Sequence, residues 1–111
     1  MKIRNKVQLI GNLGNDPKIT KLENGNSLAK FSVATNESYL NKAGERIENT
    51  QWHNIIAWGK TAEIVEKILK KGNEVVVEGK LVNRSYEDDN GVKKYITEIQ
   101  ANELLKISAK E

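Results

Sequence analysis

The chain has 111 residues, no cysteine, a single histidine, and 18 Lys and Arg against 15 Asp and Glu, for a net charge of +3. This fits one domain with its own core, excludes disulfide scaffolds and Cys-based zinc or redox sites, and leaves only carboxylates to build a metal site. No apolar run reaches membrane-spanning length and no signal-peptide core follows the basic start Met1–Lys6, so a cytoplasmic protein without membrane contact is expected.

Residues 2–10 alternate, with Lys2, Arg4, Lys6 and Gln8 on one side and Ile3, Val7 and Leu9 on the other, which predicts a half-buried strand with a basic outer face. Gly11-Asn12-Leu13-Gly14-Asn15-Asp16-Pro17 is expected to break it as a turn or bulge; it matches no phosphate-binding fingerprint. A short strand over 18–22 leads to a tight Asn24-Gly25 turn. The next long strand spans 27–37, with Ala29, Phe31, Val33 and Thr35 toward the core and Lys30, Ser32 and Asn36 outward. A polar loop around Asn41–Glu45 carries the chain into the strand Thr50–Lys60.

Residues 61–71 carry the convincing helical pattern: Ile64, Val65, Ile68 and Leu69 form a stripe, Glu63 falls in the first turn and Gly72 stands past the end. Strands over 74–86 and 92–105 follow, joined by the turn Glu87-Asp88-Asp89-Asn90-Gly91, whose acidic residues read as a solvated turn and not as a metal site. The long strands thus run three, then a helix, then two, with Gly11, Gly59 and Gly79 at bends. That order predicts an all-β protein, a five-stranded OB-fold β-barrel with one helix between the third and fourth long strands. One domain is expected over residues 1–108, with 109–111 as a short C-terminal end.

Within Thr50–Lys60, a period of two puts Trp52, Asn54, Ile56 and Trp58 on one face and His53, Ile55 and Ala57 on the other. Two tryptophans on one face either build a core or offer flat surfaces to a flat ligand. Tyr39 and Tyr86 fall beside polar turns, Lys80 and Arg84 alternate into register with Tyr86, and Lys60 follows Trp58 by two. Aromatic platforms interleaved with cations suit unpaired nucleic acid, because every base has a face to stack and phosphates accept Lys and Arg without regard to sequence. His53 has no serine or carboxylate partner placed by the sequence, and reads as a packing or interface residue, not a catalyst.

The segments Asn5–Pro17, Ala34-Thr35-Asn36-Glu37-Ser38, Thr50-Gln51-Trp52-His53 with Trp58-Gly59-Lys60, and Lys70-Lys71-Gly72 through Val77–Leu81 follow in order along nearly the whole chain. Together they resemble bacterial single-stranded DNA-binding proteins. The resemblance implies a non-enzymatic homotetramer that coats single-stranded DNA in replication, recombination and repair, with no cofactor or metal. It implies stacking by Tyr39, Trp52, Trp58 and Tyr86, two of them tyrosines where tryptophan is common. It implies phosphate contacts by Lys6, Lys60, Lys71, Arg84 and Lys94, and a subunit contact at His53. Members of that family continue into a flexible linker and an acidic tail that recruits replication and repair proteins. This sequence stops at Ser108-Ala109-Lys110-Glu111, either as a trimmed chain or as a short member, which leaves recruitment by that route open. The competing expectation is a related replication-restart accessory protein of the primosome, a tailless OB dimer. A small OB-fold nuclease would need carboxylates clustered with arginines, and Arg4, Arg46 and Arg84 form no such cluster in the sequence. RNA is a further possible partner, since stacking platforms accept either sugar.

Overall fold

A computed structural model describes residues 4–107. It is built from β1 (Val7–Leu13), β2 (Lys18–Lys21), β3 (Ser27–Leu40), β4 (Arg46–Trp58), α1 (Gly59–Ile68), β5 (Glu74–Glu87) and β6 (Lys93–Ile107). The strands form one sheet in the order β1-β5-β6-β4-β3-β2, and a further β1–β3 pairing closes five of them into a barrel, with β2 a short addition to the edge of β3. This is the five-stranded OB-fold barrel with one helix. Among the described residues only β4–β6 is parallel, through Ile55↔Ile99 and Ile56↔Gln100.

The first strand starts later than alternation predicts and runs further. Lys2 and Ile3 lie outside the described residues, as does the expected domain boundary at 108. Asn5 does not continue the ladder with its backbone. Its side-chain amide donates to the Leu81 carbonyl (3.1 Å) and accepts the Leu81 N–H (2.9 Å), substituting for a strand residue. At the other end Gly11, Asn12 and Leu13 are strand, not a break. A Cβ on Gly11 would collide with the Ala34 carbonyl, so glycine here lets β1 leave β5 and cross onto β3.

The loop expected after residue 37 is instead the far end of a long hairpin. Pairing runs unbroken from Leu28↔Trp58 to Leu40↔Arg46 because the turn is compact: Asn41 Oδ1 accepts the N–H of Ala43 and of Glu45, and Gly44 takes a positive φ of 79°. Tyr39 is therefore a strand residue.

The helix also starts earlier than its apolar stripe suggests. Gly59 turns strand into helix with φ 58°, so Glu63 lies beyond the first turn and Lys70 and Lys71 lie past the last. Ala62, Val65 and Leu69 bury against the barrel, and α1 packs on β3, β4 and β6. Ile64 and Ile68, expected in the buried stripe, are exposed, since the packed face is centred one residue away. The core is the inner face of the barrel, with Phe31, Val33, Ile55, Val75, Val77 and Ile99 among its buried members. Gly79 sits at a β-bulge in the β5–β6 ladder, where a Cβ would meet the Gln100 carbonyl.

Candidate nucleic-acid interface

Register decides which side chains share the outer face of the barrel. Across β3–β4, Trp52 opposes Ala34, Asn54 opposes Ser32, Ile56 opposes Lys30 and Trp58 opposes Leu28. Ile56 also neighbours Gln100 of β6, which opposes Lys80 of β5; Val82, Arg84 and Tyr86 continue that side of β5, opposite Glu98, Ile96 and Lys94. Trp52, Trp58 and Tyr86 therefore lie on one continuous surface with Lys30, Arg84 and Lys94.

Neither tryptophan belongs to the core. Trp52 is 62% exposed and Trp58 45%, whereas Ile56 between them is 7% exposed and forms the floor. Two adjoining depressions, each of about 400 Å³, occupy this floor. One is lined by Lys18, Ser32 and Asn54, the other by Leu28, Trp58, Val82 and Gln100; Lys30, Ile56, Arg84 and Glu98 line both.

Trp52 has a fixed seat. A Cβ on Gly14 would collide with the six-membered ring of the indole, so the ring lies directly against the glycine backbone. The loop is held there from two sides. Asn15 Oδ1 accepts the Ser32 N–H and Ser32 Oγ at 3.0 Å, and Asp16 Oδ1 accepts the Lys71 N–H at 2.8 Å. The segment that reads in sequence as an ordinary glycine turn is thus the support for Trp52.

The other expected contacts are distributed. Tyr39 is exposed but pairs with Ile47, which alternation puts on the side of the ribbon carrying His53, opposite to Trp52. It does not join the three-ring surface. Lys60 follows Trp58 in the first turn of α1, and Lys71 adjoins the Gly14–Asp16 loop. Lys94 opposes Tyr86, with its Nζ 3.9 Å from Asp88. Lys6 lies away from the two depressions, in a separate hollow with Arg4 and Lys80, 3.5 Å from Glu78. Arg84 is bidentate to Glu98, Nε to Oε1 at 2.8 Å and Nη2 to Oε2 at 3.2 Å. That hydrogen bonding, with the attraction of the carboxylate charge, raises the Arg84 pKa above its ordinary value.

His53 is half-buried, and its Nε2 is 2.9 Å from Thr35 Oγ1. Asp88 of the acidic turn accepts the N–H of Asn90 and of Val92, a turn-building role, and no three His, Asp or Glu cluster for a metal among the described residues. No helix among the described residues is long and apolar enough to cross a membrane. Sequence reasoning missed Gly14, Lys18 and Glu98 as parts of this surface. It put Lys30 and Ser32 on an outward face, but only their register against Asn54 and Ile56 brings them to the tryptophans.

A closed OB barrel with aromatic rings and cations on one outer face belongs to a class of proteins that hold unpaired strands. Comparison with known proteins narrows this: residues 4–107 match the single-strand binding protein family, and the chain belongs to that family. It is 45% identical over 108 residues to single-stranded DNA-binding protein 1 of Chlorobaculum tepidum, covering 96% of this chain and 67% of that one. It is 44% identical over 100 residues to the single-stranded DNA-binding protein of Neisseria meningitidis, covering 90% of this chain and 58% of the relative. Among solved structures, Plasmodium falciparum SSB in complex with ssDNA superposes with a TM-score of 0.88 at 34% identity, over 97% of this chain and 98% of that one. A deletion mutant of the Thermus aquaticus single-stranded DNA binding protein does so at 0.83 and 27% identity, over 96% of this chain and 51% of that one.

Proposed function

We propose that this protein binds single-stranded DNA without sequence preference and acts as a coating protein, not a catalyst. The observation that carries the proposal is the pair of exposed tryptophans on one outer face, with Trp52 seated on Gly14 and cations on every adjoining strand. Rings already fixed in place lose little freedom when a base stacks on them, and each stack is worth about 1–3 kcal/mol. Trp52, Trp58 and Tyr86 form one run of platforms, and Tyr39 takes the strand after it passes round the β3–β4 ribbon. Lys60, Lys71 and Lys94 neutralise phosphates along that path, with Lys18 and Lys30 added from the floor, and Lys6 serves a strand leaving the barrel. The relatives' names support DNA as the ligand. The protein assembles as a homotetramer in the cytoplasm, with His53, on the side of β4 away from the tryptophans, at a contact between copies.

Titrating poly(dT) and a matched duplex against tryptophan emission tests the proposal. Quenching by the single strand alone is expected. Trp52→Ala and Trp58→Ala should each weaken binding by about 1–3 kcal/mol. Equal affinity for the duplex, or full affinity in both variants, would remove the stacking face from the mechanism.

A further inference from the structure

A buried acid lies in the middle of this face. Glu98 is 3% exposed and lines both depressions, one of them walled by Trp58, where a polyanion would pass. An uncompensated carboxylate there would repel phosphates and would itself be costly to bury. Both of its oxygens are taken by Arg84, through Nε and one Nη2 hydrogen. The guanidinium keeps three N–H groups, and the Arg84 side chain stays 43% exposed against 4% for Glu98.

Resting on the single-strand proposal above, we infer that Glu98 is a positioning residue for Arg84. It cancels the guanidinium charge and fixes its plane in the depression shared with Trp58, so that Arg84 meets a base by stacking and hydrogen bonding and not a phosphate as a counter-charge.

The physical grounds are two. A bidentate pair presents a phosphate with one positive and one negative group a few ångströms apart, so it contributes almost nothing to counterion release. A planar guanidinium held in one orientation loses little freedom when it stacks, which suits it to a flat ligand. Lys30, which lines both depressions, and Lys18, which lines one, make no ion pair among the described residues and carry the free charge. The groove thus separates two tasks, lysines for phosphate and the Arg84–Glu98 pair for base.

Salt dependence of oligo(dT) binding by the full chain separates these roles, because each phosphate neutralised adds about 0.7 to the log–log slope. Glu98→Gln keeps the shape and leaves Arg84 with a free charge, so the slope should steepen by about 0.7 and low-salt affinity should rise. The double variant Arg84→Gln/Glu98→Gln should keep the wild-type slope while affinity falls by roughly fivefold or more. Lys30→Gln should lower the slope by about 0.7. An unchanged slope in folded Glu98→Gln, or a slope reduced in the double variant as in Lys30→Gln, overturns the assignment while leaving single-strand binding intact. If Glu98→Gln does not fold, as read by circular dichroism, the double variant decides alone, since it buries no charge. No quenching by oligo(dT) in the wild-type protein would overturn the single-strand proposal and this one together.

Discussion

Trp52 shows how a large exposed ring can be held rigid. Its indole rests on Gly14, and the loop carrying that glycine is tied to β3 through Asn15 and to the turn after α1 through Asp16. A methyl group at residue 14 would displace the ring without opening the barrel, because Trp52 adds little to the core. Gly14→Ala is therefore expected to weaken single-strand binding by about 1 kcal/mol, the lower end of one stacking contact, with little loss of thermal stability. Fluorescence titration and a melting curve on one sample check both halves. That the two tryptophans share a face follows from strand alternation alone. That Gly14 supports one of them does not, since 38 positions separate the two residues in the chain.

Elements that look interrupted in the sequence are continuous in the fold, and glycines make them so. Gly11 carries β1 from β5 onto β3, Gly79 accommodates the bulge in β5, and Gly59 turns β4 into α1. Gly59 has open space around its absent Cβ, so a substitution there meets only backbone strain at φ 58°. Gly59→Ala should cost about 1–2 kcal/mol, lowering the melting temperature by roughly 4–8 °C per kcal/mol for a domain near this size. A stabilised variant would show that the left-handed turn after Trp58 is not required. The hairpin turns at Asn24-Gly25 and Asn90-Gly91 were legible as punctuation, and both glycines take positive φ. The long β3–β4 hairpin was not, because its polar far end lacks the apolar alternation of a strand packed on a core.

At the scale of the whole molecule, one strand serves two faces. Even positions of β4 bear the proposed stacking rings, and odd positions face the core through Ile55 and Ala57, with His53 half-buried on the same side. If His53 lies between copies, a charge there should disfavour assembly. His53→Glu is expected to lower the sedimentation coefficient at micromolar concentration relative to the proposed tetramer of the unmodified chain; an unchanged value would take His53 out of the contact. Long-range closure also sets the electrostatics of the proposed groove. The parallel β4–β6 pairing delivers Glu98, and with it Arg84, to the depression walled by Trp58.

By itself the sequence determined the β-rich fold, the glycine turns, the helix and the alternation that puts Trp52 and Trp58 together. These depend on residues near one another in the chain, through strand and helix periods and local backbone freedom. The tertiary structure alone decided which faces meet: Lys30 beside Ile56, Glu98 clasping Arg84, Gly14 beneath Trp52, and Tyr39 on the far side of the ribbon. Such neighbours are set by inter-strand register and barrel closure, which depend on the simultaneous fit of all strands and leave no mark in the local pattern of any one.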